Sequence, residues 1–153
     1  FFLFQGVLAT GLSMPFFVAA ADPSPVLHPL LWGGVVLALV SVIGEGIADA
    51  QLRGFKADPA NRGQVCRVGL WGWSRHPNYF FEWLVWCAFV LLALGSPWGW
   101  ATVGSPLLML YFLLRVTGIP ATEAHSLRSR GAAYARYQKE VSAFVPLPPT
   151  ILP

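Results

Sequence analysis

Four apolar stretches, each close to the length of a membrane-spanning helix, constrain this chain more than any other feature. They cover residues 1–21, 30–50, 79–94 and 98–116. A bilayer requires about 20 mostly apolar residues per helix, and the short third stretch can extend back to Pro77, a residue suited to a first helical turn. Only 11% of the residues are charged, against roughly 25% in soluble domains. The sequence therefore predicts an all-α, polytopic membrane helix bundle with four transmembrane helices.

The basic residues are confined to one side of this predicted bundle. All ten lie in the loop 51–78, at the end of the fourth stretch, or in the tail 120–153, and the other two connections contain none. The positive-inside rule places the loop and the tail together in the cytoplasm. The net charge of +3 then needs no nucleic-acid partner, because the basic surface faces anionic nucleotides and membrane lipid headgroups. We predict a single membrane domain over residues 1–153.

The tail carries charged and aromatic residues at helical spacing, which predicts an amphipathic cytoplasmic helix over residues 121–142. Two interpretations stay open for this helix. It is either an interfacial helix held by lipid headgroups, or a lid whose arginines and tyrosines cover a phosphate-bearing cofactor.

Ionisable residues within apolar spans are costly and point to function. Glu45 lies near the cytoplasmic end of the second stretch, and Glu82 lies one turn into the third. Asp49 follows Glu45 by four residues, so both carboxylates share one helical face. The alternative is that these residues are interfacial and pair with nearby basic residues to set the topology.

The densest polar segment is 69–82, with the sequence GLWGWSRHPNYFFE. Arg75 and His76 stand next to a helix N-terminus, which favours anion binding. Asn78 and Glu82 are four residues apart and are expected to point the same way into the bundle, within reach of a bound ligand. His76 taken alone is more often a hydrogen-bonded histidine than a catalyst.

Other motifs limit the chemistry. Trp71 and Trp73 fit either an interfacial aromatic belt or a clamp on a flat heteroaromatic ring. Cys66 and Cys87 offer no disulfide framework and are expected to be buried or cofactor-adjacent thiols. The sequence has no metal-ligand spacing and no GxGxxG fingerprint, so we predict no metal and no Rossmann site.

The segment 69–79, with Glu82 after it and with Glu45 and ADAQL at 48–52 before it, resembles the C-terminal half of bacterial membrane proteins grouped with steroid 5-alpha-reductases. The similarity continues through Glu123 and YxxY at 134–137 to FxP at 144–146. It implies an inner-membrane reductase that uses NADPH to reduce a carbon–carbon double bond conjugated to a carbonyl, in a lipid such as a 3-oxo-steroid.

The resemblance also assigns a cofactor site to the loop 51–78 and the tail. Its motifs place NADPH among Asp49, Lys56, Trp71, Asn78, Tyr79 and Glu82, closed from the tail by Glu123 and Tyr137. The charge pattern adds Glu45, Arg75, His76 and Arg115. The acid–tyrosine pair that polarises the substrate carbonyl in this family belongs to N-terminal helices, which we expect to precede residue 1, so the catalytic residues stay unassigned.

Two other classes of function compete with a reductase. The segment RHPxY at 75–79 and a tail pattern of Arg115, Glu123, Gly131 and YxxY at 134–137 also resemble isoprenylcysteine carboxyl methyltransferases and phospholipid N-methyltransferases, which bind S-adenosylmethionine. Asn78 and the DAQ segment 49–51 favour the reductase, by analogy rather than by chemistry. A non-catalytic membrane scaffold would need neither Glu82 nor the RHPNY block.

Overall fold

The computed structural model describes residues 2–22 and 29–150. Within these ranges the chain is all-α and contains no strand, as predicted. One isolated β-bridge joins Ser74 to Ser142. Most of the predicted connection between the first two apolar stretches lies outside the described residues, as do the last three residues of the tail.

The described helices follow the predicted order. The α-helices are α1 (Phe2–Leu12), α2 (Met14–Ala20), α3 (Pro29–Ala57), α4 (Pro77–Ala93), α5 (Gly104–Tyr111) and α6 (Ile119–Glu140). Short 3-10 helices cover Pro59–Asn61, Gly69–Gly72 and Gly99–Val103, and a π-helical turn covers Phe112–Val116. As predicted, α4 begins at Pro77.

Two helical segments are long and apolar enough to cross a membrane. They are α3 and Gly99–Glu140, and the bent pair α1 and α2 makes a third if it is counted as one span. In Gly99–Glu140 the apolar residues come first, and the charged residues concentrate in α6. Because α4 is shorter, the described helices support two or three spans, and the count of four stays a prediction.

The first apolar stretch is broken rather than continuous. A bend of 45° separates α1 from α2, and Pro15 lies in the first turn of α2. Proline has no N–H to continue the hydrogen-bond ladder of α1. At the break, the Ser13 hydroxyl donates to the carbonyl of Ala9 at 2.7 Å. The residue type that interrupts the ladder therefore accounts for the bend.

The predicted loop 51–78 is shorter in the structure. Helix α3 continues to Ala57, and α4 begins at Pro77. Residues 51–57, QLRGFKA, are mostly strong helix formers, and their polar side chains do not prevent a helix from continuing beyond the apolar region. As a result, Lys56 projects from a helix instead of a loop.

The described chain forms two compact units, residues 1–42 with 82–112, and residues 43–81 with 113–153. In the first unit, the Trp83 indole donates to the carbonyl of Pro106 at 3.1 Å, and the rings of Phe16 and Phe89 lie 4.6 Å apart. The second unit contains the end of α3, the connection to α4, and α6. It holds nearly all of the predicted cofactor residues.

Helix α6 is two helical segments joined at Gly131, which has φ 50° and ψ −127°. Residues with a Cβ rarely adopt this conformation, and holding one there costs about 1 to 3 kcal/mol. We predict that Gly131→Ala lowers the free energy of unfolding by that amount.

Gly54→Ala is the matched control for this prediction. Gly54 lies near the end of α3, and a Cβ at either glycine meets no heavy atom within 4 Å. Because alanine is the better helix former, Gly54→Ala should stabilise by about 0.5 to 1 kcal/mol. Unfolding in detergent would measure both, and equal effects of the two variants would contradict the backbone argument.

Candidate functional site

A partly open pocket of about 320 Å³ lies in the second unit, bounded by residues 52–79 on one side and by α6 on the other. Residues that are far apart in the sequence line this pocket, and most of the predicted cofactor residues are among them. The predicted residues in its lining are Lys56, Trp71, Arg75, His76, Asn78, Tyr79 and Tyr137.

The remaining predicted residues do not line the pocket. Asp49 contacts a lining residue, since one of its carboxylate oxygens accepts a hydrogen bond from the Asn78 amide at 3.3 Å. Glu45 precedes Asp49 by one turn of α3, and Arg115 lies in the π-helical turn. Glu82 follows Asn78 by one turn of α4 and belongs to the other unit.

Sequence reasoning did not assign several lining residues to the site. From the connection and the end of α3 these are Leu52, Phe55, Val65 and Cys66, and from α6 they are Thr122, His125, Ser126, Arg130 and Tyr134. The signal in α6 was present, because residues 122, 126 and 130 recur every four positions and mark one face of the helical segment before Gly131. The Cys66 thiol is buried, as expected, and lines the pocket, whereas Cys87 is half-buried.

The connection between α3 and α4 is fastened to α3 at the pocket wall. The Gln51 side-chain carbonyl accepts from the backbone N–H of Leu70 at 3.0 Å, and the Trp71 indole donates to the carbonyl of Ala48 at 2.8 Å. Gly69 has φ 54°, and a Cβ at this position would collide with the Gln51 amide. Glycine therefore allows the connection to approach α3 closely enough to bury Trp71.

Trp71 is also bonded to α6. Its carbonyl accepts a hydrogen bond from the Tyr137 hydroxyl at 2.5 Å, and both side chains are buried. By contrast, Trp73 is 51% exposed. Trp71 therefore lies in the pocket wall, where a clamp on a flat ring stays a prediction, and the interfacial belt remains available to Trp73.

Arg75 is the centre of a buried polar cluster. Its Nε donates to Glu123 at 2.6 Å, and its Nη1 donates to the carbonyls of Gln138 and Val141 at 2.8 and 2.6 Å. Glu123 also accepts from the Gln138 amide at 2.9 Å and lies 3.3 Å from the His76 ring. Glu123 and two backbone carbonyls already accept hydrogen bonds from the guanidinium. Arg75 therefore acts as a clamp that holds α6 in place, rather than as a ligand for an anion.

The start of α4 is tied to the end of the tail. The Ser74 hydroxyl donates to the carbonyl of Phe144 at 2.8 Å and accepts from the backbone N–H of His76 at 3.1 Å. The Arg75 backbone N–H donates to the carbonyl of Ser142 at 2.8 Å. These bonds fix the backbone just before α4, and thereby the positions of the lining residues His76, Asn78 and Tyr79.

The cluster changes the acidity of Glu123. Burial alone would raise the pKa of this carboxyl, but hydrogen bonds from His76, Arg75 and Gln138, together with the charge of Arg75, lower the pKa from 4.5 to about 2. A lowered pKa in the folded state means that ionised Glu123 favours folding. This contribution is complete above pH 4.5 and is lost as the pH falls from there toward 2.

We therefore predict that the free energy of unfolding falls less steeply on acidification in the Glu123→Gln variant than in the wild type. Wild-type protein and the variant would be unfolded by heat at a series of pH values between about 6 and 2. The stability gap between the two proteins should narrow as the pH falls from 4.5 toward 2, because the Glu123 carboxyl of the unfolded wild type takes up a proton while that of the folded protein stays ionised. A gap that stays constant across this range would show that Glu123 does not titrate with a lowered pKa.

The family model described as "Protein of unknown function (DUF1295)" matches residues 1–141. The chain belongs to the DUF1295 family. Comparison with curated proteins and with solved structures gives no match. The match to DUF1295 extends over all six described α-helices and every predicted cofactor residue, so the pocket lies within the family's shared region.

A second pocket of about 360 Å³ adjoins the first in this DUF1295 chain. The two share Phe55, Lys56 and Arg130 in their linings, and the second adds Arg62 and the turn 57–64. Besides the shared Lys56 and Arg130, the first pocket offers aromatic rings and the Asn78 amide, and the second offers Arg62. This division suits an elongated ligand that carries flat rings and phosphates, as a dinucleotide does.

Proposed function

We propose that this chain belongs to a membrane-embedded, NADPH-dependent reductase. Its reaction would reduce a carbon–carbon double bond conjugated to a carbonyl in a lipid or 3-oxo-steroid-like substrate. The resemblance of segment 69–82 to steroid 5-alpha-reductase-like proteins motivates this class. The observation that carries the proposal is the single pocket that gathers Lys56, Asn78 and Tyr137 from three separate parts of the sequence.

The residues of the pocket fit a nicotinamide dinucleotide. The His76 and Tyr79 rings are parallel within 5° at 5.5 Å, which provides a flat surface beside the cavity. Asn78 uses one amide N–H on Asp49, so its carbonyl and its second N–H are left to bind a carboxamide. Lys56 and Arg130 are suited to phosphate oxygens.

Within this proposal the cofactor supplies a hydride, and the chain supplies binding and orientation. Asp49 fixes the Asn78 amide, and the clamp of Arg75 on Glu123 holds α6 across the pocket. The buried Trp71 and Tyr137 exclude water from the wall of the site. A donor aimed at the substrate carbonyl, where negative charge develops, would lower the barrier, and the resemblance leaves this donor unassigned among the residues of this chain.

The proposal includes a topology of four spans, with residues 58–76 and the tail both facing the cytoplasm of an inner-membrane protein. We predict that Ala60→Cys and Arg128→Cys, both at exposed positions, react with a membrane-impermeant thiol reagent from the same side. Inside-out and right-side-out vesicles of a variant without other reactive cysteines would give the sides. Labelling from opposite sides would contradict the shared cytoplasmic face.

Hydride transfer itself tests the proposed activity. The full-length protein would be incubated with an enone lipid, such as a 3-oxo steroid with a conjugated double bond, and NADPH deuterated at the transferable position. The proposal predicts a saturated product that contains one deuterium, formed in step with NADPH oxidation. If the protein instead transfers a methyl group from S-adenosylmethionine to a lipid acceptor, it belongs to the rival methyltransferase class.

A further inference from the structure

The second pocket adds Arg62, which the proposed function does not use, to the Lys56 and Arg130 side chains that it shares with the first pocket. Lys56 and Arg62 are exposed at its edge, and Arg130 enters it from α6. The Arg130 Nε donates to the carbonyl of Gln64 at 2.9 Å, which fixes the direction of its guanidinium. Three positive charges therefore converge on a cavity of about 360 Å³.

Hydrogen bonds fix the turn 57–64, which lines this pocket. The Asn61 amide donates to the carbonyl of Phe55 at 3.0 Å, and the Gln64 amide donates to the carbonyl of Ala60 at 2.8 Å. The one carboxylate in the lining, Asp58, accepts a hydrogen bond from the backbone N–H of Ala60 at 2.9 Å. Asp58 keeps its negative charge, but Lys56, Arg62 and Arg130 outnumber it, so the lining of the pocket is net positive.

We propose that this second pocket binds a phosphate monoester through Lys56, Arg62 and Arg130. A phosphate monoester carries a charge of about −1.5 to −2 at neutral pH, and a guanidinium binds its oxygens through paired N–H donors. Two sources share this chemistry, the extra phosphate that distinguishes NADPH from NADH, and the headgroup of phosphatidic acid.

The nucleotide source rests on the proposed function and follows from the shared lining. Because Lys56 and Arg130 belong to both pockets, one elongated ligand can place its rings beside Asn78 and its terminal phosphate beside Arg62. The site is then a determinant of cofactor specificity. Removing Arg62 should weaken binding of the phosphorylated nucleotide alone.

The test uses the full-length protein in phosphatidylcholine nanodiscs, with Arg62→Gln and the control Arg128→Gln. Arg128 is exposed on α6 and lines neither pocket. Dissociation constants for NADPH and NADH would be measured by calorimetry. We expect Arg62→Gln to weaken NADPH binding roughly tenfold or more, as for a lost charge-assisted hydrogen bond, while NADH binding and the Arg128→Gln variant stay unchanged.

A second arm replaces part of the phosphatidylcholine with phosphatidic acid, without nucleotide. If phosphatidic acid raises the melting temperature of the wild type but not of Arg62→Gln, and neither nucleotide binds, the phosphate site stands with a lipid source and the NADPH assignment fails. If Arg62→Gln behaves as Arg128→Gln toward every probe, the phosphate site is overturned. In that case tight NADPH binding by all three proteins would leave the proposed function intact.

Discussion

Replacing Arg75 by methionine should lower the free energy of unfolding by about 3 to 5 kcal/mol, the cost of removing one partner of a buried ion pair. The substitution leaves the half-buried Glu123 carboxylate without its closest cation and removes the donor to the carbonyls of Gln138 and Val141. Thermal or denaturant unfolding in detergent would measure the change. Arg128→Met, at an exposed position of α6, should stay within about 0.5 kcal/mol of the wild type.

A double variant separates the ion pair from other effects of the substitution. In Arg75→Met with Glu123→Gln, no uncompensated charge remains in the cluster. The combined loss should therefore be smaller than the sum of the two single losses, by about 0.5 to 3 kcal/mol. Additive effects, or an Arg75→Met variant as stable as Arg128→Met, would show that the cluster does not clamp α6.

Asn78→Ala should weaken NADPH binding by roughly ten- to a hundredfold, because it removes hydrogen-bonding groups from the pocket where we place the carboxamide. Asp49→Asn keeps an oxygen that can accept from the Asn78 amide, and it should have a smaller effect. Affinity would be measured by calorimetry and fold integrity by thermal unfolding. Unchanged affinity with lowered stability would make Asn78 a structural residue.

The variant Glu82→Gln tests whether helical spacing or the pocket lining better identifies the residues that bind the cofactor. The spacing of Asn78 and Glu82 predicted that both side chains serve the cofactor, and by that argument this variant also weakens binding ten- to a hundredfold. The pocket lining includes Asn78 but not Glu82. An effect confined to Asn78→Ala would agree with the pocket, and equal effects would agree with the helical spacing.

Local sequence patterns predicted the features that depend on neighbouring residues. Pro77 begins α4 because proline suits a first helical turn, and the charge spacing of the tail predicted α6 to within two residues at each end. The end of α3 was placed too early because Gln51, Arg53 and Lys56 end the apolar run, yet polar side chains end an apolar span without ending a helix. Pro15 carried a readable signal for the bend that interrupts the first span.

The partners of Arg75 were beyond sequence reasoning. Glu123 and Gln138 lie 48 and 63 residues away along the chain, and no periodicity connects positions that only tertiary packing brings together. For the same reason, the charge pattern assigned Arg75 to an anion, whereas the structure gives its guanidinium protein partners. Arg130 was counted among the basic residues of the tail, but only the fold shows that it enters both pockets.

Ligand-induced thermal stabilisation tests the central claim, that the pocket between residues 52–79 and α6 binds NADPH. The purified, detergent-solubilised full-length protein would be melted with NADPH and, separately, with S-adenosylmethionine. A ligand present at 100 times its dissociation constant adds about 2.7 kcal/mol to stability, which is readily detected as a higher melting temperature. We predict saturable stabilisation by NADPH that Asn78→Ala weakens, and none by S-adenosylmethionine. Saturable stabilisation by S-adenosylmethionine with none by NADPH would contradict the account.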